Sequence, residues 1–177
     1  MSVLDWTRFK FVDEAGVNLA LTRLYGRAPR GERVGGSVPI NYGKHVTMIS
    51  ALSCHGLEAM MTVEGATDGE VFRVYVRQVL CPTLQPGDIV VMDNLGAHKV
   101  SGIRAAIAQC GATLFYLPPY SPDLSPIEPC WSKLKTVLRA VGARTRKRLD
   151  RTITQAVATL RAADAAAWFA HCGYQLN

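Results

Sequence analysis

Ile89-Val90-Val91-Met92-Asp93-Asn94 is a run of four apolar residues that ends on a carboxylate. So short a run, without alternation, is the pattern of a strand covered on both faces, as in a sheet with helices on either side. Val100, Ile103, Ile107 and Cys110 follow at helical steps, and Ala112 to Leu117 reads as a second buried strand. Beyond the proline-rich turn Pro118 to Pro126, the residues Ile127, Trp131, Leu134, Leu138 and Val141 recur at alternating steps of four and three. That spacing predicts a strongly amphipathic helix. A last helix is predicted through Leu149, Ile153, Ala156, Leu160 and Ala167, running towards Trp168.

Upstream of the buried strand the pattern is that of hairpins. Phe9, Phe11 and Asp13 share one face of an alternating segment, and Val17 to Tyr25 reads as a second strand. Val46 to Leu52 and Leu57 to Val63 form a further hairpin. Thr67-Asp68-Gly69-Glu70 then offers a capping-box start to a helix that carries Phe72, Tyr75, Val76, Val79 and Leu80. Gly26 to Gly43, with Pro29, Gly31, Gly35, Gly36 and Pro39, reads as a long loop within one domain. The expected order is three or four antiparallel strands, then αβαβα and a final helix, all in a single domain over residues 1–177. The fold class is α/β.

Composition agrees with one folded core. The 177 residues carry 20 Lys+Arg against 14 Asp+Glu, a net charge of +6, with 49% hydrophobic and 19% charged residues. These proportions exclude a disordered chain. No apolar run approaches the roughly 18 to 20 residues that cross a bilayer, and Met1 to Glu14 lacks the apolar centre of a signal peptide. Cys54, Cys81, Cys110, Cys130 and Cys172 are odd in number and widely spaced, so they read as reduced thiols of a cytosolic protein.

Charge is unevenly distributed. Residues 129–151 hold eight basic groups (Lys133, Lys135, Arg139, Arg144, Arg146, Lys147, Arg148 and Arg151) and one acidic group, whereas 51–128 hold four basic and eight acidic. The basic stretch is a candidate polyanion contact or a solvated helix face. An acidic centre between basic ends suits a metal-dependent nucleic-acid enzyme.

Three carboxylates stand at element ends: Asp13 at the close of the first strand, Asp93 at the close of the buried one, and Glu128 in the first turn of the helix after the prolines. In an open α/β sheet the reactive crevice lies beyond the carboxyl ends of the strands, so adjacent parallel strands would make Asp13 and Asp93 neighbours there. Three carboxylates around one cavity suit Mg²⁺ or Mn²⁺, and two such ions would clamp an in-line phosphoryl displacement. Each residue also has a structural reading. Ser125-Pro126-Ile127-Glu128 is a capping box, Asp13 precedes a turn at Gly16, and Asp93-Asn94 could begin a helix cap.

The strings around these residues are particular: Val90-Val91-Met92-Asp93-Asn94-Leu95-Gly96-Ala97-His98-Lys99, and Tyr116-Leu117-Pro118-Pro119-Tyr120-Ser121-Pro122-Asp123-Leu124-Ser125-Pro126-Ile127-Glu128, followed by Trp131-Ser132-Lys133-Leu134-Lys135. With 34 residues between Asp93 and Glu128, the chain closely resembles the DDE transposases of the mariner-like bacterial insertion-sequence group. Phe11-Val12-Asp13-Glu14-Ala15-Gly16 and Tyr25-Gly26-Arg27-Ala28-Pro29-Arg30-Gly31 extend the resemblance over nearly the whole chain.

The resemblance implies a ribonuclease-H-like fold, a mixed five-stranded sheet flanked by helices. It further implies a catalytic and metal-binding triad of Asp13, Asp93 and Glu128, holding Mg²⁺ or Mn²⁺, two ions in all. The implied chemistry nicks double-stranded DNA at an insertion element's ends, and the freed 3′-hydroxyl attacks target DNA, commonly at a TA site. Paired ends imply a homodimer, and the resemblance places the protein in the bacterial cytoplasm, associated with the nucleoid. Two departures follow. The family's asparagine before Pro-Ile-Glu is Ser125 here, an equally good helix cap. Members also carry a helix-turn-helix DNA-binding region ahead of the first aspartate, and only 12 residues precede Asp13. The expectation is a separate catalytic part or a truncated remnant that recognises element ends poorly.

Other residues join this reading. Glu14 should face away from Asp13 and is the local competitor for its role. Asn94 and His98, at an expected helix start, either orient the metal ligands or meet phosphate, and His98 can also be an ordinary, partly exposed helix-start histidine. Ser132, Lys135 and Arg139 lie on one helical stripe, and Arg27, Arg30 and Arg33 sit in the long loop, all as candidate phosphate contacts. Trp131 falls on the apolar stripe and reads as core. A catalytically silent DNA-binding remnant and another ribonuclease-H-like nuclease are the competing functions.

Overall fold

The computed structural model describes residues 5–174, so both ends of the expected 1–177 domain lie outside the described residues. Strands β1 (Phe9–Val17), β2 (Val46–Ser53) and β3 (Gly56–Glu64) form an antiparallel meander. Helix α1 (Gly69–Tyr75) continues through a π-helical turn, Val76–Leu80, to β4 (Ile89–Met92). Then come α2 (Ile103–Gln109), β5 (Thr113–Tyr116), α3 (Ile127–Val141), α4 (Arg146–Val157) and α5 (Ala162–His171). The sheet order is β3-β2-β1-β4-β5, with β1, β4 and β5 parallel. It is the mixed five-stranded sheet that the family resemblance implied.

Alternation along β1 distributes its side chains between two cores. Phe9 and Phe11 pack beneath α3, α4 and α5 with Trp131, Leu134, Leu138, Leu149, Ile153 and Phe169. Val12 faces the other way, towards Phe72, Tyr75, Ile103 and Ile107. Covered on both sides, β4 has to be the unbroken apolar run that it is. Among the described residues no helix is long and apolar enough to cross a membrane.

The structure corrects several expectations. Val17 to Tyr25 is not a strand: β1 ends at Val17, the Asn18 side chain accepts from the Ala20 amide at 2.9 Å, and the Leu19 amide donates to Tyr42 at 3.0 Å. The chain then runs irregularly to His45, and β2 takes the place beside β1. The second predicted buried strand, β5, lies at the sheet edge with Phe115 exposed. Asp68, not Thr67, caps α1, accepting from the Val71 amide. The final helix is two, because Thr159 turns its hydroxyl onto the Ala156 carbonyl at 2.7 Å and Asp164 recaps the chain by accepting from the Arg161 amide. Apolar periodicity runs across that break and so conceals it.

Candidate active site

The register of β1 and β4 builds the site. Val12 pairs with Met92 as the last parallel pair, so Asp13 and Asp93 are the next residues on two strands roughly 4.8 Å apart. Asp13 does not close its strand, as the sequence suggested. It continues in antiparallel pairing with β2, opposite Ser50, and lies where β1 outruns its parallel neighbour. Asp93 stands just past β4 in a turn, with the Leu95 amide donating to its Oδ1 at 2.9 Å.

Glu128 enters from α3. The helix begins after Pro126 with no side-chain cap, and the Glu128 amide donates to the Ser125 carbonyl at 3.1 Å. The capping box expected of Ser125 and Glu128 is not formed, which leaves Glu128 exposed and its carboxylate uncommitted to the helix end. Trp131, one turn further on, is core as expected, at 2% exposure. It also touches the site, since its indole N–H donates to Asp13 Oδ2 at 3.0 Å and so locks α3 over β1.

Asp13, Asp93 and Glu128 line one cavity of about 470 Å³. Pro118 to Pro122 and Ser125 wall it on one side, with Tyr120 at its rim in a left-handed conformation, φ 57°, and fully exposed. Burial is the main cause that pushes the Asp13 carboxyl up to about 6, and repulsion from Glu128 and Asp93 adds to it. The Glu14 amide and the Trp131 indole oppose the rise. The donor set is all oxygen and electrostatically crowded, which fits a hard divalent cation. Among the described residues no three His, Cys, Asp or Glu side chains close around a single point.

This crowding has a consequence for stability. The unfolded Asp13 titrates near 3.8 and the folded one near 6, so the metal-free fold binds the extra proton and loses stability as pH rises from about 4 to about 6. The expected loss is on the order of 3 kcal/mol. Asp13→Asn should therefore raise the Tm of the metal-free protein at pH 8 and leave it nearly unchanged at pH 4. An equal effect at both pH values would refute this.

The flanking residues divide. Asn94 donates through Nδ2 to the Leu117 carbonyl and ties the turn after β4 to the end of β5. His98 is not at an α-helix start: Gly96–Lys99 is a single 3₁₀ turn, and α2 begins only after Gly102. At 1% exposure His98 cannot meet DNA. Its Nδ1 lies 2.6 Å from Asp93 Oδ1, and its Nε2 lies 3.8 Å from Glu14 Oε1. Burial alone would lower the His98 pKa, but Glu14 and Asp93 outweigh it and hold the imidazole above its usual value. Glu14 does face away from Asp13.

The basic stretch is not one free face. Lys133 pairs with Asp164 at 2.7 Å, Arg146 pairs with Asp150 at 2.8 Å, and Arg144 donates to the Leu19 and Leu21 carbonyls at 2.9 Å each. Arg144 thereby folds the loop after β1 against the α3–α4 corner, where Gly142 takes the left-handed conformation that ends α3. Arg27 and Arg139 come together there with Arg23 and Arg144 along a groove of about 670 Å³. Arg30 is exposed elsewhere in the loop with Arg33, and Lys135 lies half-buried on α3; none of the three lines the groove. Sequence reading missed Arg23 and had Arg144 only as one member of the basic stretch.

The profile of a family described as DDE superfamily endonuclease matches residues 8–150. No curated protein matches the chain. Among solved structures, a pre-cleavage Mos1 transpososome is similar at 12% identity with a TM-score of 0.74, covering 96% of this chain and 53% of that one. The mariner Mos1 paired end complex with Mg gives 13% identity and a TM-score of 0.72, covering 97% of this chain and 55% of that one. The catalytic domain of Mos1 mariner transposase gives 13% and 0.63, covering 95% and 76%. The likeness is one of fold, which is ribonuclease-H-like, and the chain spans about half the length of the first two.

Proposed function

We propose, because the chain belongs to the DDE superfamily of endonucleases, that it is the single catalytic domain of a mariner-like transposase. Its substrates are then double-stranded DNA at insertion-element ends and a target duplex, with TA the expected site. The observation that carries this is the meeting of Asp13, Asp93 and Glu128 on one cavity at the carboxyl ends of parallel strands. Bound there, two Mg²⁺ or Mn²⁺ ions would polarise the scissile phosphate and activate a water or a 3′-hydroxyl.

The protein's own part is positioning. Asp13, Asp93 and Glu128 offer the oxygen ligands, and below about pH 6 Asp13 must first give up its proton, which the cation's charge favours. Trp131 holds the Asp13 carboxylate towards Glu128, and Asn94 fixes the turn that carries Asp93. Arg27 and Arg139, with Arg23 beside them, take duplex phosphates, and Arg30 and Lys135 extend that contact outside the groove. Two copies acting on paired ends, in the bacterial cytoplasm at the nucleoid, complete the reading.

The test is nicking of supercoiled plasmid and of element-end DNA as Mn²⁺ or Mg²⁺ is titrated in, with joining of the free 3′-end to a second duplex. Cleavage of an RNA–DNA hybrid in preference to DNA would favour a ribonuclease H, and binding of DNA without metal or nicking would favour a silent remnant. The phosphate contacts have their own measurement. Substituting Arg27 and Arg139 together by alanine should flatten the dependence of log Kobs on log salt by about two on duplex DNA. An unchanged slope removes the groove from the DNA path.

A further inference from the structure

We propose that Glu14 is a positioning residue for the metal site, acting on Asp93 through His98 from the opposite face of the sheet. The proposal rests on the metal-dependent reading above. Glu14 follows Asp13 on β1, so its side chain enters the second core, whose nearby members include Phe72 and Tyr75. Burying a carboxylate among aromatic rings is costly unless it is paired. Glu14 Oε1 is buried without a hydrogen bond, and its side chain is 14% exposed. The polar group in reach is the His98 imidazole, held with its ring centroid 4.2 Å from that of Phe72.

His98 has two nitrogens and two carboxylates to serve. Nδ1 lies 2.6 Å from Asp93 Oδ1, and Nε2 lies 3.8 Å from Glu14 Oε1. Asp93 itself is half exposed, on a turn beyond the end of β4, and would rotate freely if nothing restrained it. The Leu95 amide donates to Oδ1, and His98 Nδ1 lies beside the same oxygen at ion-pair distance without hydrogen-bond geometry, so both restraints fall on Oδ1. Glu14 acts on the ring by its charge and not by a hydrogen bond, drawing Nε2 towards Oε1 at 3.8 Å and so keeping Nδ1 of the same ring towards Asp93. The sequence Asp13-Glu14 thus supplies two carboxylates to one site from the two faces of one strand: one as ligand, the other two contacts away from the second ligand.

A structural role and a positioning role predict opposite results. Glu14→Leu exchanges a poorly satisfied buried carboxylate for an apolar side chain, so the fold should keep its Tm or gain. Outer partners of metal ligands typically matter by about 10- to 100-fold in metal affinity, and that is the loss expected here. The experiment is calorimetric titration of Mn²⁺ into the full chain as wild type, Glu14→Leu, His98→Asn and the double variant, with Tm measured on each without metal. The shorter amide of His98→Asn keeps a donor towards Asp93 but cannot reach Glu14, so Glu14→Leu should have no further effect in that background. If Glu14→Leu does not fold, Glu14→Gln carries the same cycle with a smaller loss.

Metal affinity that falls in Glu14→Leu, and does not fall again in the His98→Asn background, supports the proposal. Wild-type affinity in Glu14→Leu, or losses that simply add in the double variant, overturns it. A wild-type protein that binds no Mn²⁺ at all overturns the metal-dependent reading itself, which separates the two failures.

Discussion

On the proposed function, Asp93→Ala should leave a folded protein that binds DNA and does not cut it. Asp93 is half exposed and accepts one turn hydrogen bond, but it also lies 2.6 Å from Nδ1 of buried His98, so its loss should cost about 1 to 3 kcal/mol and leave the fold intact. Chemistry should suffer far more. A metal acting as Lewis acid contributes several kcal/mol to the transition state of phosphoryl displacement; losing about 4 kcal/mol of it is roughly a thousandfold in rate. Single-turnover nicking of supercoiled plasmid at saturating protein and fixed salt measures this directly, with DNA affinity determined in parallel. Nicking within tenfold of wild type would mean that Asp93 is not a metal ligand, and the site would have to be sought elsewhere.

Trp131→Ala should be the most destabilising single change in the site region. The indole is 2% exposed within the core between α3 and β1, and truncating a buried Trp typically costs about 3 to 5 kcal/mol. Urea unfolding would show it as a lower midpoint. Trp131→Phe separates the two roles of the residue: it keeps most of the packing but removes the N–H that steadies Asp13 Oδ2. The phenylalanine variant should lose only part of that stability, while the Asp13 carboxyl rises further and metal binding shifts to higher pH. If the alanine variant unfolds within about 1 kcal/mol of wild type, Trp131 does not anchor α3.

Where the sequence could be read, it was because one physical pattern had no rival. The run Ile89–Met92 is apolar on both faces because helices cover both, and the stripe from Ile127 to Leu138 is apolar because α3 lies flat on the sheet. Asp93 and Glu128 were visible at the ends of those elements. Asp13 was visible but misplaced at a strand end, since sequence does not reveal that β1 outlasts its parallel partner. Residues 18–25 carry enough apolar character for a strand, and only the turn at Asn18 and the bond to Tyr42 exclude it. His98 read as a helix-start residue that orients metal ligands, meets phosphate or is partly exposed, and nothing local signals its burial. Its partners lie on β1 and beyond β4, and topology alone joins them. The arginine groove was half legible for the same reason: Arg27 and Arg139 stand far apart in sequence, and Arg144 closes the distance by binding two loop carbonyls.

The parallel pairing of β1 with β4, Phe9 with Ile89 through Val12 with Met92, also governs the order of events in synthesis. The β2–β3 hairpin closes within itself and is quick to form, whereas a pairing so remote along the chain forms late. A ribosome adding about 5 to 20 residues each second keeps the inner edge of β1 bare for several seconds, open to aggregation or to chaperones. For all that time Asp13 has Ser50 of β2 beside it but not Asp93, and Glu128 has still to be translated. The three carboxylates therefore line one cavity only when α3 has emerged and settled on the finished sheet.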